Sequence, residues 1–392
     1  MKDLKVGLIS HDFPPEGFGG IAIYTYNLAK ALSEKGLDVT VICGNKGKKG
    51  KYNKEKFKVI RLNMPNIPPR AIWFQMLNKN KLRKEFSKFD ILNCQYTSGY
   101  IFVKNINKPI ITTFHDSPKK ELELFLKTPI KYWTSQEFFY NVLEYPIYHN
   151  VCKNEFKISN KIISVSKSLT CDLKKEFGTI GKISTIPNGL NMSDFEDIES
   201  EDDNKTILYF GRLFYRKGIL DLIDAFEILC SKNEDYILEI YGNGPLKNLI
   251  QRKIGHNNRI KLFQFVPHEK LLNKISKSSI VVLPSTYEAF SIGYLETMAL
   301  RKPLIVYDYP FSKELINKQN GILVEKRNIR ALSQSILDLI NDKNKRQRLG
   351  LNAQKHIKEN FQLKYLVTEY IKLYEEVLEN NENNYFSNNS VS

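Results

Sequence analysis

The chain repeats one texture: a short apolar run, a turn, then apolar residues spaced three and four apart. KVGLIS (5–10) is followed by a Gly-rich loop and by Ile21, Tyr24, Leu28, Ala31 and Leu32 at helical spacing, with Gly36 as the stop. DVTVIC, DILNCQ and PIITTFH read as further strands, and KIISVS leads into a helix carrying Leu169, Leu173 and Phe177, closed by Gly178. The pattern pauses at 191–205, which holds seven acids and one Lys. It then restarts with TILYFGR, a helix carrying Leu222, Ile223, Phe226 and Leu229, and YILEIYG, IKLFQFV, IVVLPS and PLIVYD. Strands alternating with helices predict parallel sheets covered on both faces. Two such halves predict an α/β protein with two doubly wound, Rossmann-like lobes facing a cleft.

The expected organisation is a first lobe over 1–190, a solvated acidic linker over 191–205 and a second lobe over 206–362. An amphipathic helix over 363–380 packs back toward the first lobe, and 381–392 is a disordered tail.

Composition narrows the class. With 392 residues, 42% hydrophobic and 26% charged, the chain is globular, which excludes disordered, collagen-like and disulfide-scaffold proteins. Five scattered cysteines without a C-x-x-C pair fit small buried residues in a reducing compartment better than disulfides or zinc. Val6 to Ile9 is too short for a signal-peptide core, and no run approaches the roughly 20 apolar residues of a membrane span. The expected location is the cytoplasm, with peripheral attachment to the cytosolic face of a membrane as its extension. A net charge of +16 asks for an anionic partner.

Candidate chemistry begins at Gly17-x-Gly19-x-x-Ala22. It fits a dinucleotide fingerprint only formally, because HDFPPE separates it from the strand and the second strand ends Cys43-Gly44-Asn45 without an acid. Two readings remain level: a turn needing positive φ, or Gly19 and Gly20 bringing bare backbone to a phosphate at a helix start. In YFGRLFYRKG, Arg212 follows a strand and Lys217 precedes a helix, either as a diphosphate clamp or as two solvated cations. IYGNGP ends a strand in a turn at Gly242. LPSTYEAFSIGYLETMA carries Glu288 and Glu296; eight residues of helix rise about 12 Å, too far for a shared proton. Amides near Phe290, Ser291 and Ile292 offer a second phosphate seat.

In this order and spacing, PPEGFGG, the His115-Asp116 pair, SVSKSLTCDL, IPNGL, GR…KG and the Glu-x7-Glu element resemble the retaining glycosyltransferases of family 4, with the two-lobed GT-B fold, over roughly residues 4–375. The resemblance implies a retaining hexosyltransferase that takes a sugar from a UDP or GDP donor to a glycan, polysaccharide or lipid-linked acceptor, without cofactor or metal. It implies that Arg212 and Lys217 neutralise the diphosphate, that Glu296 holds the ribose and Glu288 the donor sugar, and that Val266 lies against the base. It also implies that Gly19 and Gly20 reach the phosphate side and His115 the reaction centre. Three positions depart from the family: Ser291 and Arg301 stand where Gly is common, and Asn191 where Asp is usual. No Asp-x-Asp element for a bridging metal is present.

Both lobes are basic, but clusters at 46–61 and 79–88 stand out, with eight and five basic residues against one acid each. Beside Ile72, Trp73, Phe74, Met76 and Leu77 they suggest an anionic membrane surface, and nucleic acid is not expected. The Leu-, Phe- and Tyr-rich segment 122–149 suggests an acceptor cover. The competing readings are a sugar-nucleotide epimerase or sugar phosphorylase on the same scaffold, and a non-catalytic nucleotide-sugar scaffold at a membrane.

Overall fold

The first apolar run becomes β1 (Lys5–Ser10), buried at every position after Lys5, as a parallel strand covered on both faces must be. It joins β2 (Asp38–Asn45), β3 (Lys58–Asn63), β4 (Ile91–Gln95), β5 (Ile110–Phe114), β6 (Lys161–Ser164) and β7 (Ile183–Thr185). The sheet order is β3-β2-β1-β4-β5-β6-β7, with every pairing parallel. A second sheet holds β8 (Thr206–Phe210), β9 (Ile237–Tyr241), β10 (Ile260–Phe263), β11 (Ile280–Leu283), β12 (Leu304–Tyr307) and β13 (Ile322–Val324). Its order is β10-β9-β8-β11-β12-β13, again all parallel. Each sheet reverses its winding once, between β1 and β4 and between β8 and β11. At such a switch point the loops at the carboxyl ends diverge and leave room for a ligand.

This computed structural model describes residues 4–15, 19–45, 56–99, 106, 108–178, 181–202, 205–231 and 236–389, and the side chains of these except 136 and 382–389. Gly17 and most of the 46–61 cluster lie outside the described residues.

The chain divides into two units. One comprises Met1–Phe125, Gln136–Asn188 and Leu363–Ser392; the other comprises Leu126–Ser135 and Gly189–Gln362. The C-terminal helix runs over Leu363–Asn389, beyond the expected end at 380. It places Val367, Tyr370, Leu373, Tyr374 and Val377 in one buried cluster with Val6, Leu8, Leu28 and Leu32. Those positions follow the three-and-four spacing of a helix with a single apolar stripe.

Two expectations change. The described part of 191–205 is not a solvated linker: Met192 and Phe195 are buried in the second unit's core, and Arg346 donates to Asp202 at 2.9 Å. The acids masked an apolar edge, Met192, Phe195 and Ile198, at three-residue spacing. Within 122–149, residues Leu126–Ser135 belong to the second unit, where the Tyr132 ring stacks on Tyr215 at 4.5 Å and 19°. Arg327 lies 4.1 Å from the Tyr215 ring and bonds Asp221 through both carboxylate oxygens. Among the described residues, no helix is long and apolar enough to cross a membrane.

Candidate active site

The second unit's switch point holds most of the candidate residues. The loop after β8 carries Arg212 and Lys217, and the loop after β11 carries Ser285 and Glu288. Backbone contacts pin the two loops together. Gly218 sits at φ +68°, where a Cβ would lie 2.0 Å from the Pro284 carbonyl oxygen, so only glycine fits. The Arg216 carbonyl accepts from the Thr286 amide at 2.8 Å and from its hydroxyl at 3.1 Å.

The pinning brings Lys217 Nζ onto Glu288 Oε1 in a largely buried ion pair. Ser285 Oγ donates to the same oxygen at 2.7 Å. Burial pushes the Glu288 carboxyl up, but Lys217 and Arg216 outweigh it and hold the group below its ordinary range. Arg212 is exposed on the same loop, and its carbonyl accepts from the buried Tyr209 hydroxyl at 3.1 Å. A fixed anion thus sits beside fixed cations at the carboxyl edge of the sheet.

The interval from Glu288 to Glu296 is helical only from Ile292 onward, because the helix spans Ile292–Ala299. The 12 Å rise expected for a continuous helix does not apply. Ser291 is the residue capping that helix, at φ −120°, and its side chain makes no capping bond. Its backbone is one any residue adopts, so the departure from glycine costs no strain there. Ser291 and Ile292 are half-buried.

Glu296 is 6% exposed and pairs with His268 Nε2 at 2.7 Å. That bond raises the His268 pKa above its usual value, with burial working against it. His268 opens the helix His268–Lys277 after Pro267, a local signal that sequence reasoning passed over. Gly242 is buried, and a Cβ there would lie 2.0 Å from the Gly211 carbonyl oxygen. Val266, past β10, packs half-buried against the core.

The first unit assembles its own group. Gly20 opens the helix Gly20–Glu34, with Gly19 as its cap at φ −74°. Neither residue serves a turn with positive φ, and a Cβ on Gly20 would meet nothing within 4 Å. His115 follows β5. Its Nε2 lies 3.0 Å from Gln95 Oε1, and its ring meets Tyr24 edge-on at 4.6 Å. Burial drives its pKa down to about 3. Among the described residues, no group of three or more His, Cys, Asp or Glu is placed to hold a metal ion.

The charged clusters are partly committed elsewhere. Lys58 pairs with Asp38 at 3.2 Å, and Arg61 donates to the Pro14 carbonyl at 2.5 Å. In the helix Arg70–Phe86, Phe74 faces the core and not solvent, whereas Trp73, Met76 and Leu77 are 38%, 56% and 56% exposed. Of the cysteines, Cys43, Cys94 and Cys152 are buried but Cys171 is exposed.

Two family descriptions match the chain in succession. "Glycosyltransferase Family 4" covers residues 18–194, and "Glycosyl transferases group 1" covers 192–356. The chain belongs to the family 4 glycosyltransferases. An uncharacterized glycosyltransferase of Methanocaldococcus jannaschii is 24% identical over 96% of this chain and 99% of its own length. Sucrose-phosphate synthase from Thermosynechococcus elongatus superposes with a TM-score of 0.78 at 19% identity, over 96% of this chain and 99% of that one. The Anabaena protein HepE in complex with UDP-glucose does so with a TM-score of 0.72 at 16% identity, over 95% and 100%. The fold of this glycosyltransferase is therefore GT-B, two Rossmann-like α/β domains.

Proposed function

We propose that this glycosyltransferase moves a hexose from a UDP- or GDP-sugar to a glycan or lipid-linked acceptor with retention of configuration. The observation that carries the reading is the Lys217–Glu288–Ser285 cluster at the switch point of the second sheet, beside Arg212 and ahead of the helix Ile292–Ala299. In this reading Arg212 and Lys217 neutralise the diphosphate, and the amides at Ser291 and Ile292 share its charge. Glu296 takes the ribose hydroxyls, Glu288 takes the donor sugar, and Val266 and the Gly242 turn border the base. Gly19 and Gly20 offer backbone to the phosphates, and neutral His115 meets the transferred sugar as a hydrogen-bonding group. The bond from the anomeric carbon to phosphate breaks with its electron pair going to the diphosphate. The acceptor oxygen bonds that carbon on the same face, and its proton passes to the departing phosphate. No protein nucleophile and no metal is invoked. The UDP-glucose bound to HepE, a protein of the same fold, supports a uridine donor.

A thermal-shift screen of sugar nucleotides tests this, since a ligand at a hundred times its Kd stabilises by about 2.7 kcal/mol. UDP- or GDP-sugars raise Tm in wild type and not in Arg212→Ala. No shift with any nucleotide overturns the donor site, and an unchanged shift in the variant overturns the clamp.

The exposed face of Arg70–Phe86 favours a further element. Trp73, Met76 and Leu77 sit ahead of Lys79, Lys81, Arg83 and Lys84 on one helix, which suits peripheral attachment to an anionic membrane at the cytosolic side. Equal flotation with neutral and anionic vesicles at low salt overturns it.

A further inference from the structure

A buried hydrogen-bonded chain runs from the C-terminal helix to His115, entirely within the first unit. Asn93 Nδ2 donates to the Tyr374 hydroxyl at 2.8 Å. Asn93 Oδ1 accepts from Gln95 Nε2 at 2.9 Å and from the Thr113 hydroxyl at 3.1 Å. Gln95 has thereby spent its donor side on Asn93, and its Oε1 faces His115 Nε2 at 3.0 Å. Asn93, Gln95, Thr113 and Tyr374 are all fully buried, so no solvent substitutes for a missing partner.

The chain has a direction. An amide has one donor side and one acceptor side. With Gln95 Oε1 as acceptor, His115 Nε2 must carry the hydrogen, leaving Nδ1 as the lone-pair nitrogen. Reversing one amide requires reversing the next, so the register flips only as a unit. A second tyrosine on the same helix, one turn earlier, meets the chain from its side: Tyr370 bonds the Tyr24 hydroxyl at 2.6 Å, Tyr24 in turn bonds Thr113, and the Tyr370 ring lies edge-on to Tyr374 at 6.5 Å, but Tyr370 donates nothing to Asn93 or Gln95.

We infer that Tyr374 is a positioning residue for His115: through Asn93 and Gln95, the C-terminal helix fixes which imidazole nitrogen is offered to the reacting sugar. This rests on the reading of His115 given above. Removing the Tyr374 hydroxyl leaves Asn93 with an unmet buried donor. The reversed register leaves an unmet carbonyl oxygen instead, and a buried carbonyl tolerates this better than an N–H does. Tyr374→Phe therefore shifts His115 from the Nε2–H to the Nδ1–H tautomer.

The experiment records 15N spectra of the full-length protein labelled at histidine, with the His115 signal assigned by its loss in His115→Gln. Wild type and Tyr370→Phe show the Nε2–H tautomer at neutral pH, and Tyr374→Phe shows a substantial Nδ1–H population. In the transfer assay, Tyr374→Phe loses about tenfold in kcat with little change in the donor KM, the mark of an interaction made in the transition state. A Tyr374→Phe spectrum like wild type, or a tautomer change of equal size in Tyr370→Phe, overturns the proposal. A tautomer change without any change in kcat retains the relay and overturns the role of His115 instead.

Discussion

Gly218 and Pro284 approach so closely that a Cβ on the glycine would fall 2.0 Å from the proline carbonyl oxygen. This contact sets the spacing of the two loops that carry Lys217 and Glu288. Gly218→Ala has to push the loops apart at a left-handed position, and the expected cost is about 2–4 kcal/mol. Chemical denaturation reads the loss. Transfer activity falls with it, because Lys217 and Glu288 separate.

Glu288→Gln keeps the size of the side chain and removes the charge that Lys217 pairs with. A largely buried ammonium then lacks its counterion, at an expected cost of about 1–3 kcal/mol. The donor still binds, because the cations of the clamp remain, whereas turnover collapses. Calorimetric titration beside an activity assay separates the two effects.

Arg301 occupies φ +58°, a left-handed conformation that costs a residue with a Cβ about 1–2 kcal/mol. Its side chain donates to Gln354 at 3.0 Å at the surface, a bond that returns only part of this. Arg301→Gly is therefore expected to raise stability by about 0.5–1 kcal/mol, measurable as a higher denaturant midpoint with activity intact.

The His268–Glu296 pair makes donor binding sensitive to pH. The raised pKa of His268 keeps it protonated into a higher range than a free histidine, and there Glu296 is held by a charge-assisted bond. In the proposed donor site the ribose hydroxyls have to displace that bond, so nucleotide affinity is expected to rise as pH increases through the His268 pKa. His268→Gln flattens the dependence, which titrations at pH 6 and pH 8 reveal.

His115 titrates in the opposite sense. The unfolded chain takes up its proton near pH 6.5, but the folded protein does so only near pH 3. Stability carried by the neutral ring is complete above pH 6.5 and is lost as pH falls toward 3. His115→Gln removes this slope, and urea unfolding at pH 5 and pH 7 in both proteins checks it.

Much of this was legible in the chain. Every strand with a clear apolar run formed, as did the loop that carries Arg212 after its strand, because backbone periodicity and glycine placement are local properties. β3 was hidden because KVIRLN sits among lysines, and β7 and β13 because IST and ILV are too short to show a period. The boundaries of Ile292–Ala299 misled because apolar residues precede it without helical backbone. Asn93 and Gln95 left no signal, and His268 only its place after Pro267, since the partner that gives each its meaning lies elsewhere in the sequence: Asn93 meets Tyr374 across 281 positions.

The membership of the C-terminal helix in the first unit bears on how the protein is made. Synthesis runs from the N-terminus, and domains generally fold in that order as they emerge. Here the ribosome delivers β1 through β7 early, but the surface of Val6, Leu8 and Leu28 waits for Val367, Tyr370 and Tyr374. The second unit, complete by Gln362, has all its residues first. The N-terminal half of the nascent chain is thus the last to close, with its apolar face open for almost the whole of translation.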